Sequence, residues 1–169
     1  MKKIFTVSLI FMLLGACTSH QTKTPEDTLY EKVMTAIRTQ NASTLSDAEY
    51  DKIEYYISQG KNSWLDLYPK LGDEPFLGVT AFQEGLNISM AYALPVNPTE
   101  TLKFINKSNV DEICGLTFIE PTTNEIYLYY LRARAALLVH GARSPLGANC
   151  LAVLDSTMYD IKQFHRNTN

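Results

Sequence analysis

The 169-residue chain carries 15 Lys/Arg against 18 Asp/Glu, a formal net charge of −3, and 46% of its residues are hydrophobic. That length suits one domain with a single core. The mildly acidic balance, without any block of Lys or Arg, excludes an electrostatic grip on nucleic acid or on anionic lipid.

At the N-terminus Lys2 and Lys3 precede an apolar run from Ile4 to Leu14, interrupted only by Thr6 and Ser8, that ends in Leu14-Gly15-Ala16-Cys17. A positive start, a short apolar segment and small residues before a cut form the pattern of a secretory signal. The run falls short of the about 20 apolar residues that a bilayer-spanning helix needs. Leu-Gly-Ala-Cys resembles the lipobox of bacterial lipoproteins. The resemblance implies that residues 1–16 are a signal peptide and that Cys17 becomes the new N-terminus, diacylated on sulfur and acylated on its amine with chains such as palmitate. More than one chain is needed for stable anchoring, and a mature lipoprotein of this kind carries three. Thr18 stands where an Asp is associated with inner-membrane retention in enterobacterial lipoproteins, so the resemblance implies the outer membrane, with the domain facing the periplasm. An ordinary cleaved signal with an incidental cysteine is the alternative. Loss of Lys2 and Lys3 leaves 13 basic against 18 acidic residues, a mature charge of −5.

Cys114 and Cys150 then remain, in a compartment that permits disulfides. A bridge between them closes a loop of about 37 residues and contributes roughly 4 kcal/mol on the chain-entropy model. Two buried free thiols are the other arrangement; export favours the bridge. Two thiols with no histidine at ligand spacing do not make a metal site, and no cofactor is expected.

Residues 17–26, polar after Cys17 and containing Pro25, read as a lipidated tether, and residues 27–165 as the folded domain. Leu29, Tyr30, Val33, Met34 and Ile37 trace one apolar face of a first helix. Ser46 with Glu49 is a capping-box pattern opening a second, which carries Tyr50, Ile53, Tyr56 and Ile57 up to Gly60. Trp64 to Leu71 forms a short segment, and Asp73 or Glu74 before Pro75 predicts another start, running through Phe76 and Phe82 to Leu94. Asn97-Pro98-Thr99-Glu100 is the clearest helix start in the chain. A turn of helix over Ser108 to Cys114 precedes Gly115. Thr122 or Thr123 caps a long segment to His140 that is apolar on nearly every side, which predicts a buried central helix. The alternative is a strand over Ile126 to Leu131. Ser144 and Pro145 open a last helix, and residues 166–169 form a polar tail that frays. The sum is an all-α single domain of about seven short-to-medium helices packed as antiparallel hairpins.

Catalytic constellations are missing. His20, His140 and His165 are scattered, with His140 read as a helix C-terminal cap. No HExxH, GxSxG or phosphate loop occurs, and Asp73-Glu74 and Asp111-Glu112 are adjacent pairs that face different ways on a helix. Arg132 and Arg134 either pair internally with Asp111, Glu112 or Glu120 or line a groove for an anionic partner; internal pairing is favoured. The remaining signal is aromatic: Tyr55, Tyr56, Trp64 and Tyr68 are candidate partner contacts. The expected function is non-catalytic protein binding in the cell envelope, resembling in class only the small helical immunity proteins that plug secreted cell-wall hydrolases. The alternative is an accessory structural subunit of an envelope assembly, and a peptidoglycan-acting enzyme stands third.

Overall fold

Several helix starts in this chain are set by side chains that satisfy backbone N–H groups otherwise left without a partner. The computed structural model describes residues 23–116, 118, 121–141 and 144–167; the expected signal segment, Cys17 and the first part of the expected tether lie outside them. Thr24 caps α1 (Pro25–Thr39), its Oγ1 accepting from the Asp27 N–H at 3.1 Å while the Asp27 carboxylate accepts from the Thr24 N–H at 3.0 Å. α2 (Asp47–Ser58) opens on the expected Ser46/Glu49 pair, and the Glu49 carboxylate also accepts from Lys32 of α1 at 2.7 Å. Two single turns follow, α3 (Asn62–Leu65) and α4 (Tyr68–Leu71), and then the long α5 (Thr80–Ala93). Asn97 caps α6 (Pro98–Thr101), which runs into a 3₁₀ turn over Leu102–Phe104 before α7 (Val110–Cys114). Thr122 and Glu125 form a reciprocal cap on α8 (Thr123–Ala136), which widens into a π turn over Leu137–Gly141. Ser144 Oγ accepts from the Gly147 N–H at 3.0 Å at the start of α9 (Pro145–Asn167).

The fold is all-α, with no strand among the described residues and Ile126–Leu131 helical. Several boundaries differ from expectation. Pro25 and Glu26 are not tether: Pro25 is the first residue of α1, and Glu26 accepts from the Trp64 indole N–H at 2.9 Å and pairs with Lys61. No helix starts at Pro75, because Phe76 turns inward to lie buried 6.2 Å from the Phe82 ring, and Gly78 takes a left-handed φ of 93° that reverses the chain before Thr80. α9 is helical through Asn167, past the expected start of the tail.

The expectation of a buried central helix over Thr123–His140 fails. Tyr129, Ala133 and Leu137, at i, i+4 and i+8, are buried and Ile126 and Tyr130 are half-buried against the core, while Tyr127, Leu128, Leu131, Leu138 and Val139 are exposed. The central position belongs to α5, which buries Phe82, Leu86, Met90 and Ala93 and packs along α2 and α7, with α4 and α6 also against it. A helix apolar all round signals burial only if neighbours surround it; α8 lies at the edge, packed on α9 and its own π turn. A Cβ added at Gly147 would stand 2.0 Å from the Gly141 carbonyl oxygen, so only glycine lets the first turn of α9 rest on that π turn.

Cys114, at the end of α7, is bonded to Cys150 in α9, with both residues fully buried and a Cα–Cα distance of 5.3 Å. Because the stabilisation comes from closing one loop, Cys114→Ser, Cys150→Ser and the double variant are expected to lower Tm equally, by the equivalent of about 4 kcal/mol. Additive losses in thermal unfolding would contradict the bridge.

Lys32, aided by the Ser46 N–H, holds the Glu49 carboxyl down at about 2, from 4.5. A depressed carboxylate contributes stability above its unfolded pKa and loses it as pH falls through the folded value. Glu49→Gln is therefore expected to lower Tm at pH 7, with the gap to wild type closing between pH 4.5 and about 2. A gap that persists at pH 2 would assign the loss to packing instead.

Candidate functional site

The capping box at Ser46 fixes where α2 begins, and helical periodicity then places Asp47, Asp51 and Glu54 on one face at i, i+4 and i+7. That face forms one wall of a trough of about 620 Å³ whose other side is α5, with Phe82, Gly85, Ile88 and Tyr92. At Ser58, Ile88 and Tyr92 the trough continues into a larger cavity of about 1130 Å³, which reaches α8 and its π turn. Leu128, Tyr129, Arg132, Val139 and His140 line that second part.

The floor is aromatic and closely packed. Tyr50 lies 4.6 Å from Phe82, and Tyr92, Phe118 and Tyr129 form a trio with centroids 4.7–6.2 Å apart. Tyr129 is buried, its hydroxyl donating to the Ala91 carbonyl at 2.8 Å, and burial pushes its phenol well above the ordinary range. Tyr92, Val96, Leu128 and Val139 stay exposed around it, Val139 by 71%.

Glu54 is the distinctive charge. Burial pushes its carboxyl upward, with Asp51 adding to the effect, and no described residue donates a hydrogen bond to it. Its carboxylate lies over Gly85, where a Cβ would come within 2.3 Å of Glu54 Oε1. A glycine at that place leaves room for the carboxylate between the two helices.

The arginines divide. Arg134 pairs with Asp155 of α9 at 2.9 Å, and Asp155 also accepts from the Tyr130 hydroxyl at 2.8 Å; the pairing is internal as expected but with neither Asp111 nor Glu112, and Glu120 lies outside the described residues. Arg132 lines the larger cavity and makes no ion pair among the described residues. His140 lines the same cavity from the π turn.

Of the four aromatic contact candidates, Tyr55 alone is well exposed, at 57%. Trp64 is fully buried between Tyr30 and Tyr56, whose rings lie 5.3 and 5.1 Å away, and its indole N–H is taken by Glu26; it cannot meet a partner. Tyr56 is half-buried under Lys61, 4.7 Å above its ring. Tyr68 is half-buried, donating to Asn87 at 2.7 Å and accepting from Asn109 at 3.2 Å. Sequence reasoning marked neither Tyr92, Val96 and Val139 nor the acidic wall as site residues; the i, i+4, i+7 spacing of Asp47, Asp51 and Glu54 is the signal that puts three carboxylates on one face, but not the setting of Glu54 over Gly85. Among the described residues no group of His, Cys, Asp and Glu could hold a metal ion, and no helix is long and apolar enough to cross a membrane. Cys17 lies outside the described residues.

No protein-family model matches the chain, and neither a curated protein nor a solved structure is significantly similar to it.

A carboxyl raised by burial costs stability once the unfolded form ionises, so the penalty grows above pH 4.5 and is absent below it. Glu54→Gln is expected to raise Tm at pH 7 and to match wild type below pH 4.5. A lower Tm at neutral pH would show instead that the ionised carboxylate is held by a favourable contact.

Proposed function

We propose that this chain is a lipid-anchored, non-catalytic protein-binding module of the bacterial envelope, held at the outer membrane through Cys17 and facing the periplasm. The observation that carries the binding reading is the trough itself. Exposed Tyr55, Tyr92, Val96, Leu128 and Val139 gather along one continuous depression in a domain whose core is complete without them. Exposed apolar side chains scattered singly need no explanation, but a contiguous set rimmed by charge is the composition of a contact surface. The glycosidase alternative calls for two carboxyl groups facing each other across a sugar. In the smaller trough all three carboxylates belong to one wall, α2, and α5 opposes them with apolar and small residues.

Within this reading, inhibition of a secreted cell-wall hydrolase is the preferred form, because a single trough suits one partner engaged by one face. A specific observation favours the accessory-subunit form as a second reading: Tyr127, Leu131 and Tyr159 are exposed on α8 and α9 without lining the trough, and an assembly subunit needs more than one contact face.

Crosslinking of tagged full-length protein in cells, with mass spectrometry of what co-purifies, tests the reading. One dominant partner with hydrolase features is the expected result; several envelope proteins at fixed ratio would favour the assembly form, and a repeated blank would remove the binding reading. Cys17→Ala is expected to release the protein from membranes, checked by fractionation after alkaline and salt washes. Retention of the variant on washed membranes would refute the lipid anchor.

A further inference from the structure

The trough between α2 and α5 has an uneven charge. Its lining includes Asp47, Asp51 and Glu54 and no lysine, arginine or histidine. Beneath the acids the surface is apolar, made by Tyr50, Val79, Phe82 and Ile88, with Tyr55 and Tyr92 exposed at the edge. Glu54 is partly withdrawn from water over Gly85, next to a second carboxylate, and receives no hydrogen bond from the described residues. A carboxylate so placed gains from a cation that reaches it from outside, and an apolar floor suits the methylene stem of a lysine or arginine. Aromatic faces at the edge add a further attraction for the same charge.

We propose that this trough receives a cationic, apolar-flanked segment of the partner protein: a lysine or arginine seats against Glu54 and Asp51, and its neighbours lie on Ile88, Tyr55 and Tyr92. The inference deepens the protein-binding reading and rests on it. Charge complementarity selects the occupant. An acidic or neutral segment covers half-buried Glu54 beside Asp51 without compensation, a cost that a basic segment removes. Continuity with the larger cavity past Ser58, Ile88 and Tyr92 gives the apolar flank of the segment a path toward α8, while Arg132 there keeps the cationic residue at the α2 end.

The test uses the full chain in neutral detergent micelles, with empty micelles as blank. The probe is a fluorescein-labelled, amidated octapeptide alternating lysine and tyrosine, compared by anisotropy with its glutamate–tyrosine counterpart. The lysine peptide is expected to bind, more weakly as salt rises, and the glutamate peptide not to bind. Glu54→Gln and Asp51→Asn are each expected to weaken binding about tenfold or more, the value of one charged hydrogen bond. Asp160→Asn, the same charge change on α9 and outside the trough, is expected to leave binding unchanged. Absence of binding, equal binding of both peptides, or an equal effect of Asp160→Asn overturns the proposal. So does saturable binding of soluble peptidoglycan fragments that displaces the peptide. The in-cell capture, repeated with Glu54→Gln, separates the two failures. A partner captured equally by wild type and variant removes the cationic segment and leaves the binding module standing. A blank with wild type removes the binding module itself.

Discussion

The arrangement of this domain depends on α5 being approached closely from several sides at once. Its side chains are graded for that purpose. Gly85 faces the Glu54 carboxylate of α2, and Asn87 bonds both Tyr68 of α4 and Glu112 of α7. Gln83 Nε2 donates to the carbonyls of Leu71 and Phe76, holding the irregular chain that connects α4 to α5. The Ala91 carbonyl accepts from Tyr129, which docks α8. Amides pointed outward from a mostly apolar helix do what packing alone does poorly: they fix direction and register.

This hub explains why the depression exists. α2 packs along α5, whereas α8 meets α5 through Tyr129, by its hydrogen bond to the Ala91 carbonyl and its ring contact with Tyr92, and the gap between α2 and α8 follows the surface of α5 from Phe82 to Tyr92 and beyond. The disulfide works at the other side of the hub, joining α7 to α9 where α7 meets α5. Stability and exposed surface are thus divided between two flanks of one helix. Substitutions on the α2 flank can alter charge without touching the buried sulfur bridge.

Local chemistry was the legible part of the sequence. Ser46 with Glu49, Asn97 with Pro98, Thr122 with Glu125 and Ser144 with Pro145 each mark a helix start, because capping is decided within four residues. The pairing of Cys114 with Cys150 followed from there being no other partner once Cys17 was set aside. Three-dimensional placement was not legible. Composition cannot distinguish a helix enclosed by neighbours from one lying at an edge with its apolar side to solvent, and α8 is the second kind. Trp64 and Tyr55 carry the same aromatic signal in sequence, yet one is sealed beneath Tyr30, Tyr56 and Glu26 while the other is open. Glu54 gave no local sign either, since its setting comes from Gly85 on a helix about 30 residues away.

The enclosure of Trp64 has a spectroscopic consequence. It is the only tryptophan in the chain, and its indole sits dry among Tyr30, Tyr56 and the Glu26 carboxylate at the junction of α1, α2 and α3. Its emission therefore reports whether α1 is seated on the domain, and it is a natural acceptor for excitation energy from the two tyrosines beside it. No residue of this cluster lines the trough, so the fluorescence registers loosening at the N-terminal end, with Tyr55, which lines the trough 5.5 Å from Tyr56, as a link between the two.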